Sequence, residues 1–219
     1  MSTETETLGR HSGLGHLRIN PSVLYVGTPV ALVTSISPDG TTNISPMSSA
    51  WALGDRVVLG MGSTGQGCEN VLRDGELVIN FPSPDLWPGV EAIARLTGRR
   101  DVPPDKVGIG YEYAADKFGP AGFTPQDSEI VRPPRIAECP IQFEAKVVAA
   151  HDAGSDRSTD QPASFQIIEA RVLRVHAQRR IVIPGTNHID TAAWSPLLYV
   201  FRHYFGVGPD LGRTFKAEI

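Results

Sequence analysis

The apolar and polar positions of the chain form short β-like runs punctuated by glycine and proline. Between residues 23 and 36 the apolar positions are mostly β-branched (Val23, Val26, Val30, Val33 and Ile36, with Leu32), and Pro29 divides them into two strand pieces. Pro38-Asp39-Gly40 predicts a turn, because proline presets φ and glycine accepts positive φ. The return strand is expected over 41–48 and the next over 56–61. A short helix follows over 64–74, with Ser63 and Gln66 in the spacing of a capping box and Gly75 as its stop. Residues 76–81 read as a buried strand. A second helix is expected over 83–97, since Leu86, Val90, Ile93 and Leu96 fall on one face and Gly98 ends the pattern. The proline-rich segment 99–137 reads as an irregular binding loop or lid. Beyond it, Ile141, Phe143, Ala145, Val147 and Ala149 alternate with mostly polar residues. After a polar loop at 152–162, Phe165 to Val175 reads as the partner strand. A further short strand is expected at 181–183, then an aromatic stretch over 194–206.

Strands at both ends with only two short helices between them predict a mainly β (α+β) fold, an antiparallel barrel or sandwich rather than repeated βαβ units. Residues 1–16 are expected to be a flexible tail, and 17–219 a single domain. The 22 glycines and 18 prolines fit short strands and many turns. Net charge is −4 with no basic run, which argues against nucleic acid as the main partner. No apolar stretch reaches the ~18 residues of a membrane span and no signal peptide is evident, so a cytoplasmic location is expected. Cys68 and Cys139 make no disulfide framework, and the six histidines show no metal spacing, so no metal is expected.

Two segments concentrate the chemistry. Asn43-Ile44-Ser45-Pro46-Met47-Ser48-Ser49-Ala50 is rich in small hydroxyl groups. Gly60-Met61-Gly62-Ser63-Thr64-Gly65 spells G-x-G-x-x-G after a strand and before a helix, with Asp85 about where a dinucleotide fold places its ribose acid. Against a dinucleotide fold stand the short helix, the lack of further strand–helix alternation and the hairpin that precedes the motif. A helix start whose N–H groups suit a phosphate survives that objection; so does a plain glycine turn.

The pieces from Pro29 onward resemble the flavin reductase-like family of FMN-binding split β-barrels. They are Pro29-Val30-Ala31-Leu32-Val33-Thr34, Asp39-Gly40, Asn43 to Ser49, Glu69-Asn70, Glu76 to Asn80, Asp116-Lys117-Phe118, Ala121 to Pro125 and Val131 to Pro140, in that order. The resemblance implies a split β-barrel, a noncovalent FMN near a homodimer interface, NAD(P)H as co-substrate, and a flavin-dependent oxygenase as a possible partner. It places the isoalloxazine ring along Asn43, Ser45, Pro46, Met47, Ser48, Ser49 and Ala50. The phosphate falls at Ser63, Thr64, Gly65, Gln66, Gly67, Cys68 and Asn70. It leaves Lys117, Phe118, His203 and Tyr204 for substrate. Many members carry Lys-Asp-Thr-x-x-Asn before the helix and nearer ones Ser-Gln-Thr-Thr-Glu-Asn, where this chain has Gly65-Gln66-Gly67-Cys68-Glu69-Asn70. Phosphate contacts from backbone N–H groups with Ser63 or Thr64 are therefore expected. Cys68, near a helix start, is either a low-pKa thiol or simply packed. The activity implied is a flavin reductase; the alternatives are an FMN enzyme acting directly on a small metabolite and a non-catalytic flavin-binding or electron-transfer protein.

Overall fold

The computed structural model describes residues 15–154, 164–212 and 214. Most of the expected tail, and most of the polar loop after residue 152, lie outside the described residues. Five strands open the fold: β1 (Val26–Pro29), β2 (Ala31–Ile36), β3 (Thr42–Met47), β4 (Ala50–Leu53) and β5 (Arg56–Gly62). Helix α1 (Gln66–Asp74) and β6 (Glu76–Phe81) follow. The middle of the chain carries short pieces: α2 (Trp87–Ala92), β7 (Leu96–Thr97), α3 (Pro104–Gly108), β8 (Glu112–Tyr113), α4 (Phe118–Ala121), β9 (Pro125–Gln126) and β10 (Arg135–Ile136). The long hairpin β11 (Ile141–Ala153) and β12 (Phe165–Ala177) precedes β13 (Leu198–Val200) and β14 (His203–Phe205).

Seven strands form one antiparallel sheet in the order β3-β2-β6-β11-β12-β5-β4. Its two edge strands are consecutive in the chain, joined only by Ser48 and Ser49, so the sheet curls until its edges meet. No ladder joins β3 to β4, which makes this a split barrel. Pro46 is tolerated in β3 because that strand is an edge.

Alternation along β2 fills two cores. Ala31 and Val33 point into the barrel with Leu59, Leu77, Ile79 and Ile168, and α1 closes its end with Cys68 and Val71. Val30 and Leu32 point the other way, into a second core with Ile44, Val90, Ile93, Phe118 and Ile136. A strand covered on both faces must be continuously apolar, as 30–33 is. β1, β13 and β14 form a separate three-stranded sheet. Its tight turn puts Phe201 and Arg202 at φ of 42° and 72°.

Four local expectations are corrected. β4 has no counterpart in the sequence reading. The helix over 83–97 is broken into a 3-10 turn at Pro84–Leu86 and the six-residue α2, and Leu96–Thr97 instead pairs in parallel with β8. The strand over 181–183 is the end of a 3-10 turn, Arg179–Ile181, with a single bridge from Val182 to Ile189. The capping box does not form: Gly65 is the N-cap, without a side-chain bond, and Gln66 Nε2 donates to Asn70 Oδ1 at 2.9 Å. The reason is a tight turn, Gly65 N to Gly62 O at 3.0 Å, which sets the helix start beyond Ser63. Gly75 does end α1, in the left-handed conformation at φ 68°.

Candidate functional site

Strand geometry places Asn43, Ser45 and Met47 on one face of β3 and Ile44 on the other. The first three face a cleft; Ile44 packs in the second core. Asn43 Nδ2 donates to Ser45 Oγ at 2.9 Å. Asn43 Oδ1 is buried and has no hydrogen-bond partner among the described residues. Turning the amide over would only exchange an orphaned acceptor for an orphaned donor, so the site is built to meet one more polar group.

The start of α1 forms the opposite wall. The helical bond from the N-cap runs from Glu69 N to Gly65 O at 3.2 Å. The N–H groups of Gln66, Gly67 and Cys68 therefore lack intrahelical carbonyls, as at any helix start, and carry its positive dipole end. Gly67 is required by proximity: a Cβ there would lie 2.1 Å from Ser45 Oγ. Gly98 does the same from the β7 side, where a Cβ would lie 2.5 Å from Asn43 Oδ1. The resulting cleft, about 220 Å³, is also lined by Leu96, Lys106, Tyr111 and Lys117. An adjoining hollow of about 330 Å³ shares Pro46, Met47, Ala94 and Tyr111 with it and adds Ser48 and the rings of Tyr25, Tyr199 and Tyr204. Those rings pack edge-on or tilted at 5.4 and 5.7 Å.

Of the residues singled out in the sequence, Asn43, Ser45, Pro46, Met47, Gly65, Gln66, Gly67, Cys68 and Lys117 line the cleft, and Ser48 and Tyr204 the hollow. The others sit elsewhere. Ser49 bonds the Tyr25 hydroxyl at 2.8 Å, Ala50 belongs to the barrel core, and Phe118 to the second core. Asn70 is buried and donates to Ser35 Oγ and Ser37 Oγ, tying α1 to the sheet. Ser63 and Thr64 precede the helix in the turn, and His203 is exposed on β14. Leu96 to Gly98 were read as the end of a helix and not as site residues, and Lys106 and Tyr111 lie in the segment read as a binding loop or lid but were not singled out, because that segment has no periodicity.

The electrostatics separate Cys68 and Lys117, two of the titratable residues that line the cleft. Burial and the nearby Glu69 carboxylate push the Cys68 thiol up, so the low-pKa alternative is not borne out. Burial holds the Lys117 ammonium down, to about 8.

The sequence model of the "Flavin reductase like domain" matches residues 23–208. The chain belongs to the flavin reductase-like family. An uncharacterized protein of Bacillus subtilis, YdfE, is 46% identical over 200 residues, covering 91% of this chain and 93% of that protein. Among solved structures, nitrilotriacetate monooxygenase component B from Bacillus cereus shares the fold, with a TM-score of 0.72 and 19% identity over 92% of this chain and 100% of the other. Flavoredoxin from Methanosarcina acetivorans superposes with a TM-score of 0.69 and 18% identity, over 92% and 96%. Family membership implies a flavin cofactor and an oxidoreductase type of function. The orphaned Asn43 oxygen, the close approach to β3 that Gly67 and Gly98 allow and the uncapped helix start are features that suit a flavin nucleotide.

Proposed function

We propose that the protein is an FMN-binding oxidoreductase, an NAD(P)H-dependent flavin reductase that hands reduced flavin or electrons to an acceptor. The observation that carries this reading is the buried Asn43 Oδ1, without a hydrogen-bond partner among the described residues, in a cleft that the uncapped start of α1 also lines. When bound, FMN supplies the hydride chemistry itself. The chain's residues then bind and orient. The N–H groups of Gln66 and Gly67 meet the phosphate, and the helix dipole favours its charge. Asn43 and Ser45 meet the polar edge of the ring, and Met47, Pro46 and Leu96 supply apolar contact. The cleft and the tyrosine-lined hollow together give a flavin and a planar co-substrate adjoining places.

The reading extends to a homodimer with FMN near the subunit interface. Trp51 and Leu53, on the edge strand β4, are 58% and 75% exposed; such an edge suits a second copy. A cytoplasmic location is proposed too; among the described residues no helix is long and apolar enough to cross a membrane. A flavin-dependent oxygenase is the proposed acceptor, in line with a structural neighbour named as a monooxygenase component.

A second reading, an FMN enzyme acting directly on a small aromatic metabolite, is favoured by the four tyrosines around the hollow. One experiment separates the two. FMN-loaded protein is mixed anaerobically with NADH or NADPH and the flavin absorbance followed. The reductase reading expects rapid bleaching by one of them. Unchanged absorbance with both, in protein that dithionite still bleaches, would overturn it.

A further inference from the structure

We propose that Lys117 is a charge-balancing residue of the cleft, whose buried ammonium offsets the negative charge that a flavin ring acquires on accepting a hydride. The inference rests on the flavin reading above and concerns what this side chain does to the bound ring.

Lys117 is only 3% exposed, the one buried lysine or arginine among the described residues. Its Nζ donates to the Ile44 carbonyl at 2.8 Å. That carbonyl lies between Asn43 and Ser45, on the strand that forms the cleft wall. No carboxylate among the described residues pairs with it. The adjacent Asp116 is engaged otherwise, accepting from Phe118 N at 2.8 Å and Gly119 N at 3.2 Å at the start of α4. Elsewhere the basic side chains show what pairing looks like here: Arg99 with Glu69, Arg132 with Asp74 and Glu76, Arg174 with Glu129.

A buried ammonium with one neutral acceptor is costly, and if packing were the only need an apolar side chain would serve better. The depressed pKa is the mark of that cost. One N–H of the ammonium is used by Ile44, and two donors remain at a position lining the cleft. What is missing is an anion, and the proposed reaction creates one. A hydride leaving C4 of a reduced nicotinamide breaks its C–H bond and forms an N–H bond at flavin N5. Two electrons and one proton move, the nicotinamide ring becomes a cation, and the flavin ring gains one negative charge. A cation within ~4–6 Å of a developing anion favours the charged form by one to three powers of ten. Lys117 is thus suited to favour reduced over oxidised flavin.

The phosphate is the other possible anion. The helix start already faces that group with its N–H groups, whereas Lys117 is anchored to the middle of the ring-edge strand.

The test compares wild type, Lys117→Arg and Lys117→Met. Oxidised FMN and riboflavin are titrated first, and the reduction potential of the bound flavin is then measured by dye equilibration at pH 7. Lys117→Met is expected to bind both oxidised flavins within about threefold of wild type, since only the reduced ring carries the charge. Its preference for reduced over oxidised flavin is expected to fall roughly 10- to 100-fold, about 30–60 mV for a two-electron couple. Lys117→Arg is expected to keep most of the preference. A Lys117→Met potential equal to wild type overturns the proposal. So does a loss of FMN affinity with riboflavin affinity unchanged, which would give Lys117 to the phosphate. If wild type binds neither flavin, it is the cofactor reading that fails, and the titration shows this before any potential is measured. Thermal unfolding of the flavin-free variants checks folding; Met removes an unpaired buried charge and is expected to be no less stable.

Discussion

Gly67→Ala probes the cleft most sharply. The added Cβ would meet Ser45 Oγ at 2.1 Å, Asn43 Nδ2 at 3.1 Å and Ser45 Cβ at 3.2 Å. The first overlap cannot stand, but it involves the end of a side chain that can rotate. Ser45 therefore turns away and its bond with Asn43 is lost. A hydrogen bond of this kind contributes about 1 kcal/mol, and a buried amide donor left unpaired costs about 1–3 kcal/mol. Alanine in place of glycine returns up to ~1 kcal/mol in a helix, less near its start. The net expectation is a destabilisation of about 1–2 kcal/mol. Ser45→Ala removes the same bond and is expected to cost a similar amount. With Ser45 already shortened, Gly67→Ala meets only Asn43 Nδ2 at 3.1 Å and the Cβ at 3.2 Å, contacts that a small shift relieves, and costs little more. Urea unfolding of the four flavin-free proteins then gives a double-mutant cycle. The double variant is expected to match Ser45→Ala, with a coupling of about 1–2 kcal/mol. Additive effects, within about 0.5 kcal/mol, would refute the packing of Gly67 on Ser45. Each single variant is also expected to weaken FMN binding about tenfold, read by fluorescence titration.

Three further outcomes follow from the same coordinates. Glu144, buried, accepts the N–H groups of Glu129, Ile130 and Val131 and a bond to His176 at 2.7 Å. Burial pushes its carboxyl up, but these bonds outweigh it and hold the carboxyl below the ordinary 4.5. Its contribution is therefore complete above that value and lost as pH falls through the lower, folded value. Glu144→Gln is expected to cost about 2–4 kcal/mol at pH 7 and to flatten the acid limb of stability below pH ~4.5, measured by chemical unfolding across pH. Gly89→Ala would place a Cβ 2.4 Å from the Ala121 carbonyl oxygen and 2.9 Å from the Phe123 ring; a clash with backbone should lower stability by about 2–3 kcal/mol. Arg202→Gly relieves a left-handed residue at φ 72° and should raise stability by about 0.5–1 kcal/mol in the same assay.

What was legible in the sequence follows the range of the forces involved. The run 30–33, the turn at 38–40, the buried strand 76–81 and the stop at Gly75 are local, and each stands where the pattern put it. The periodicity of Val90 and Ile93 was real, since both fill the second core. The helix fails after Ala92 because Leu96 and Thr97 pair with Glu112 and Tyr113, a contact that local spacing does not reveal. β4 escaped notice because Ala50-Trp51-Ala52-Leu53 has no alternation to read; its outer positions are exposed rather than polar. In the same way, the segments 43–47 and 65–68 could be picked out as chemistry-bearing. Their opposition across a cleft, with Gly98 against Asn43 and Lys117 behind Ile44, needed the folded chain.

The central claim is that this cleft holds FMN, and direct titration tests it. Purified wild-type protein is added to FMN while flavin fluorescence is followed. The expected result is saturable quenching at micromolar protein, with one flavin per chain and loss of affinity in Gly67→Ala. No quenching at micromolar protein, or binding indifferent to Gly67→Ala and Ser45→Ala alike, would contradict it.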